Sequence, residues 1–274
     1  MDTLQKNKAV LRRYVEELWN ECKYEVLDQI IHPNVRKRGG GLDPKGPAGY
    51  KQMIETNHQG GSDLRRTIVD MVAEGDKVVL YSTFTGTHTE EGADGFAPTG
   101  EKLEVTGVAT WLIEDGKIIE EPWACWKIPA LYQQIARAAM RQFIDKVWNG
   151  GDLDAAEQYI APDYVRHDPA APEDIQGLDG FREVAAMYRA AFPDLQLDIE
   201  EIIAAGDKGE TVAIRWSGSG THQGELMGVA PTGKQVRTTG QTFLRLEKGK
   251  IAEEWVHWDS AGMLQQLGAV LAEA

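Results

Sequence analysis

Cysteine is scarce in this 274-residue chain: only Cys22 and Cys125 occur, far apart and in no CxxC or Cys/His spacing. That excludes a disulfide framework and a thiolate zinc site, and it fits a reducing compartment. Long apolar runs are missing too. The stretch from Met1 to Val10 lacks the apolar core of a signal peptide, and no later run approaches the roughly 20 residues of a membrane span. The expected location is therefore the cytoplasm, with no membrane partner. Positive charge is in deficit, 29 Lys and Arg against 43 Asp and Glu, for a formal charge of -14. Such a field repels phosphate backbones, so no nucleic-acid partner is expected. No Walker loop, GxGxxG after a strand, HExxH or GxSxG elbow occurs, which leaves covalent catalysis by serine or cysteine without support. GlyGlyGly at 39–41 lacks the Lys and Ser/Thr of a phosphate loop and reads as a flexible loop.

What the chain does contain is a repeat. EELWNECKYEVLDQIIHPNV (Glu16 to Val35) matches DKVWNGGDLDAAEQYIAPDY (Asp145 to Tyr164), with Trp19 over Trp148 and Pro33 over Pro162, 129 positions apart. AEGDK, GTH and APTG at Ala73, Gly86 and Ala97 return as AAGDK, GTH and APTG at Ala204, Gly220 and Ala230, and DGKIIEEPWACW returns as KGKIAEEWVHW. Self-similarity over this length means two copies of one structural unit. The expected domains are 1–135 and 136–274.

Each copy runs in the same order. In the second, Phe143, Ile144, Val147 and Trp148 share one helical face that GlyGly at 150–151 ends. A short helix over Leu153 to Ile160, a strand around Tyr164 to His167 and a helix from Leu178 to Ala191 follow. Strands are then expected over Leu195 to Ala204, Thr211 to Thr221, Lys234 to Glu247 and Lys250 to Trp258, punctuated by GlyAspLysGly, AlaProThrGly and GluLysGlyLys turns. Helices first and an antiparallel meander after is an α+β plan, a curved sheet wrapped on helices around a cone-shaped cavity.

The stretches VWNGGDLDAAEQYIAPDYVRHDP, AAFPDLQLDIEEIIAAGDK, RWSGSGTHQGELMGVAPTGKQV and GKIAEEWVHWDSAGMLQQLG resemble the SnoaL-like polyketide or ester cyclases of the NTF2-like superfamily. The resemblance covers Arg137 to Ala269 in order, and the first copy carries the same frame with altered polar positions. It implies two tandem conical α+β barrels, each with a mostly apolar pocket for a small hydrophobic substrate. It also implies acid/base chemistry with no metal or organic cofactor. Family members form sheet-to-sheet dimers, which a fused pair would reproduce within one chain and a further homo-oligomer would extend. The same scaffold also serves isomerases, dehydratases, lyases and non-catalytic binding modules.

Comparing the copies singles out polar positions. The shared Trp19/Trp148, Trp123/Trp255 and Trp126/Trp258 read as core aromatics. His167 and Asp168 stand where the first copy has Arg38 and Gly39, and Asp259 stands where it has Lys127. The expectation is therefore a degenerate site in the first copy and an active one in the second. Asp168 resembles the strand-end aspartate of ketosteroid isomerases, and at the mouth of an apolar cone its carboxylate would become a useful proton carrier; it also suits a turn. His167 is the side chain whose ordinary pKa lies nearest working pH. Alternation puts Asp259 on one face of the last strand with Trp255 and His257, and Glu254, Val256 and Trp258 on the other. Asp259 is favoured over Glu254 because Glu121 matches Glu254 in the first copy, although Asp259 also suits a helix N-cap. His222, matched by His88, completes the catalytic set. Trp216, Gln241, Tyr164, Trp255, Trp258 and Arg237 are the expected substrate contacts, with Trp216 and Gln241 replaced by Ser82 and Val108 in the first copy. The chemistry expected is proton transfer beside a carbonyl, leading to aldol-type cyclisation or a related isomerase, lyase or dehydratase reaction. The alternatives are a small-molecule binding module and a pseudo-dimeric interaction protein.

Overall fold

A computed structural model describes residues 2–37, 44–59, 63–91 and 95–269. Arg38 and the GlyGlyGly run at 39–41 lie outside the described residues. The chain divides into two compact units, Met1–Glu90 with Gly100–Leu131, and Glu91–Thr99 with Tyr132–Ala274. Among the described residues no helix is long and apolar enough to cross a membrane.

Unit one opens with α1 (Thr3–Arg13), which Asp2 caps by accepting the Gln5 amide at 2.8 Å, and continues as a π-helical turn, Tyr14–Asn20. Then come α2 (Leu27–Ile30), β1 (Ile31–Lys37), α3 (Gly46–Gln59), β2 (Arg65–Glu74), β3 (Lys77–Thr87), β4 (Lys102–Glu114) and β5 (Lys117–Trp126). The sheet order is β1-β5-β4-β3-β2. Its core gathers Leu11, Tyr14, Leu18, Ile54, Leu80 and Trp111.

Unit two repeats the plan. Helix α4 (Ile128–Phe143), in this unit from Tyr132 onward, runs into a π-helical turn, Ile144–Asn149, and a 3₁₀ turn, Asp154–Gln158. After β6 (Ile160–His167) and the short β7 (Ile175–Gln176) comes α5 (Gly177–Ala191). The meander β8 (Gln196–Ala205), β9 (Thr211–Thr221), β10 (Gln235–Glu247) and β11 (Lys250–Trp258) closes with α6 (Ser260–Leu267). The order is β7-β6-β11-β10-β9-β8. The expected antiparallel meander forms, but both sheets are mixed, because β1 joins β5 and β6 joins β11 in parallel. The reason lies in the helices and strands between the partners, which supply the long crossover that parallel pairing needs.

Three repeated motifs prove to be backbone clips. Asn20, the last residue of its π-turn, donates to Arg66 O at 2.9 Å and accepts Arg66 N at 2.8 Å; Asn149 does the same with Leu197 at 3.0 and 2.7 Å. Asp63 accepts both the amide and the hydroxyl of Thr87, at 2.7 and 2.6 Å, and Asp194 repeats this with Thr221 at 2.6 and 2.7 Å. The GTH and APTG stretches meet each other: Gly100 N donates to His88 O and Gly233 N to His222 O, both at 2.9 Å. One expectation is corrected. Trp123 is not a core aromatic but 53% exposed, because alternation along β5 turns it away from the core.

Candidate active site

In unit two the helices and the concave side of the sheet enclose a cavity of about 100 Å³ with mostly apolar walls. The π-turn carries Trp148 to it, and β11 contributes Glu254, Val256 and Trp258 from a single face. From β9, Trp216 lies across Gly240, where an added Cβ would come within 2.4 Å of the indole. Its Nε1 donates to Thr242 Oγ1 at 3.0 Å. Only a glycine on β10 leaves room for that ring.

One polar cluster sits in these walls. Arg166 Nη1 bonds Glu254 Oε1 at 2.9 Å, Arg166 Nη2 bonds Asp168 Oδ2 at 3.1 Å, and the Tyr164 hydroxyl donates to Glu254 Oε2. All four residues are buried, and one guanidinium thus faces two carboxylates. Burial, then the Glu254 charge, raises the Tyr164 phenol well above its usual range, so it stays protonated. Burial alone would lower the Arg166 guanidinium, but Glu254, Tyr164 and Asp168 outweigh it and raise its pKa, locking the cation. On α5, Tyr188 borders the cavity between Trp148 and Trp258, at ring distances of 6.5 and 6.0 Å. Its phenol is pushed up to about 12, chiefly by burial and then by Asp168.

The residues singled out from sequence divide between the cavity and elsewhere. Trp216 and Trp258 line the cavity; Tyr164 and Asp168 hold the cluster behind it. Asp168 also accepts the Ala170 amide at 3.0 Å, so the turn and the cluster use the same carboxylate. His167 does not join Asp168, because neighbours on a strand face opposite sides. It lies between Asp174 at 2.9 Å and Glu253 at 3.2 Å and stacks on Trp255 at 5.5 Å. Gln241 and Trp255 share that outer face. Asp259 is exposed and caps α6, accepting the Gly262 amide at 2.8 Å. His222 is fully buried but outside the cavity lining: its Nδ1 meets the Thr232 hydroxyl and amide at 3.2 and 3.3 Å, and its ring packs on Phe192. Arg237 is exposed and donates to Ser217 Oγ at 3.0 Å.

Arg166, Glu254 and Tyr188 are therefore the cavity groups that the sequence reading passed over. Each had a signal. Alternation from Tyr164 makes Arg166 and Asp168 its inward companions, and Phe181, Ala185, Tyr188 and Phe192 recur at helical spacing. Glu254 was discounted because the first copy shares it, yet the shared position is a buried ion pair in both units: Lys37 Nζ lies 2.6 Å from Glu121 Oε1. Unit one has its own cavity, about 440 Å³, lined by that pair and by Arg66.

Comparison with known proteins agrees with this architecture. Over 123 residues the chain is 30% identical to the nogalonic acid methyl ester cyclase of Streptomyces nogalater, covering 44% of this chain and 89% of that one. Over 131 residues it is 28% identical to the aklanonic acid methyl ester cyclase AcmA of Streptomyces galilaeus, covering 48% and 89%. A solved structure from Acidithiobacillus ferrooxidans, a candidate polyketide cyclase, is 33% identical over 47% of this chain and 91% of that one, with a TM-score of 0.43. The profile of the SnoaL-like polyketide cyclases matches twice, at residues 9–135 and 138–267, and on that double match the chain belongs to the SnoaL-like polyketide cyclase family.

Proposed function

We propose that unit two is an acid/base cyclase without a cofactor, acting on a hydrophobic small molecule that carries at least three carbonyl groups. The observation that supports this most is the Glu254 carboxylate, set in apolar walls and held by Arg166 and Tyr164. The carbon it would deprotonate is one made acidic by two neighbouring carbonyls. Glu254 takes the proton from that carbon, and the enolate carbon attacks another carbonyl carbon of the same molecule. One C–C bond forms, and the new alkoxide recovers the proton from Glu254. The Tyr188 hydroxyl, kept protonated, is the donor placed to stabilise the enolate oxygen. Asp168 acts through Arg166, holding the guanidinium so that it in turn holds Glu254. The free volume is below the several hundred Å³ of a typical ligand site, so a multi-ring substrate requires the Trp216 and Trp258 rings or Met263 to yield.

The names of the relatives supply trial substrates. Nogalonic acid methyl ester and aklanonic acid methyl ester are incubated with the protein in D₂O, and cyclised product and deuterium at the acidic carbon are followed by NMR. The expected result is both product and exchange with the native protein, and neither with Glu254→Gln. Product formation by the variant at the native rate refutes Glu254 as the proton carrier. Exchange without cyclisation keeps proton transfer and rejects these two compounds as substrates.

A further inference from the structure

The cone of unit one is built for a different ligand. Arg66 enters from β2 and is 3% exposed, yet among the described residues it has no carboxylate within salt-bridge distance. Its Nε donates to Ser82 Oγ at 3.1 Å, and its Nη2 closes no hydrogen bond of normal geometry, although the Tyr14 hydroxyl lies near enough to interact with the guanidinium. Four aromatic rings surround the guanidinium: Phe84 at 5.0 Å, Trp111 at 5.2 Å, Trp126 at 5.3 Å and Tyr14 at 5.8 Å. Cation–π contacts return part of the lost hydration but satisfy no N–H. Glu121, whose charge acts on Arg66, is engaged by Lys37 at 2.6 Å. A second donor, the buried Trp19 indole Nε1, also closes no hydrogen bond of normal geometry though the Tyr14 hydroxyl is near it, and both Trp19 and Arg66 line the cavity of about 440 Å³.

A buried guanidinium that shares its one carboxylate with a lysine is left under-neutralised, and the fork of an arginine is matched by a carboxylate that accepts two parallel hydrogen bonds. The two cones differ in this respect. In unit two Arg166 serves two carboxylates, whereas in unit one Lys37 and Arg66 share Glu121 among the described residues. The Asn20 and Asn149 clips make Arg66 and Leu197 structural equivalents, so the second cone lacks this cation altogether. Met53, Leu64, Leu103 and Val105 supply apolar walls of a size that accepts a ring-bearing molecule.

We propose that unit one binds an organic carboxylate with an aromatic body, its carboxylate on Arg66 and its rings against the apolar wall. This site is separate from the cyclase reading of unit two and does not depend on it.

The test is calorimetric titration of the full-length protein with 2-naphthoate, and with uncharged 2-naphthamide as the control. Native protein should bind naphthoate at least tenfold more tightly than the amide. Arg66→Leu, which copies the residue of the second cone, should remove that preference, Arg66→Lys should keep part of it, and Glu254→Gln should leave it unchanged. Equal affinity for acid and amide, or no naphthoate binding up to millimolar concentration, overturns the proposal in the native protein alone, whatever the variants' folding. Loss of naphthoate binding in Glu254→Gln with retention in Arg66→Leu places the ligand in unit two and overturns it as well.

Discussion

Replacing Glu254 by glutamine removes a proton carrier while leaving the shape of the site almost intact. In the native cluster Glu254 accepts from Arg166 Nη1 and from the Tyr164 hydroxyl, and Asp168 holds the other side of the guanidinium. Glutamine keeps an oxygen for Arg166 and turns an amide NH₂ toward Tyr164, whose hydroxyl rotates to accept it. Arg166 is not orphaned, because Asp168 remains. The cost should therefore stay well under the 3–5 kcal/mol of a stranded buried charge, at about 1–2 kcal/mol. Catalysis should suffer far more: a positioned general base contributes about 10²–10⁴-fold. The assay is kcat for cyclisation beside a urea titration of the same samples. Asp259→Asn, which keeps the helix cap, is the control and should change neither. The reasoning is refuted if Glu254→Gln retains more than about a tenth of native kcat while Asp259→Asn loses it.

Three further outcomes follow from the same geometry. Trp216→Ser, the residue of the first copy, should widen the unit-two cavity and lower KM for multi-ring esters, read by steady-state kinetics; a raised KM would make the indole a substrate contact. Asp259→Ala should cost about 1 kcal/mol through loss of the α6 cap and leave turnover intact, measured by urea titration and kinetics. His167 should titrate by NMR above its ordinary 6.5, because Asp174 first and Glu253 second hydrogen-bond its ring, and Asp174→Asn should lower the midpoint. With the folded pKa raised, its stabilising contribution is complete below the unfolded value and is lost as pH rises through the folded one.

The fold was legible because the repeat exposes it. Segments that recur at nearly constant spacing are those that satisfy backbone groups, and the Asn20/Asn149, Asp63/Asp194 and GTH–APTG clips each do this by hydrogen bonds. The site was legible only in part. Asp168 and Tyr164 lie in the buried cluster beside the cavity, while His167 and Asp259, favoured because they differ between copies, lie outside its lining, and difference is equally the mark of an exposed position free to vary. Alternation alone separates them: from Tyr164 it points Arg166 and Asp168 inward, and from Glu254 it points Val256 and Trp258 inward. Asp259 lies past the end of that strand, where helix capping decides its place.

The comparison also changes what a duplicated cone implies. A copy lacking His167 and Asp168 looked like a spent site, yet it retains the buried Lys37–Glu121 pair at the position of Arg166–Glu254. Two replacements carry most of the difference. Ser82 instead of Trp216 leaves the first cone open, and Arg66 instead of Leu197 gives it a second cation that must share Glu121 with Lys37. Ser82 lies outside the clips and Arg66 joins its clip through main-chain atoms alone, so ligand choice can drift in one copy while the fold of both stays fixed. A buried arginine that gained nothing from a ligand would only weaken its unit, since an apolar residue fits the same place in the sister copy. Its place inside an open, aromatic-walled cavity is therefore an argument for binding in the first cone.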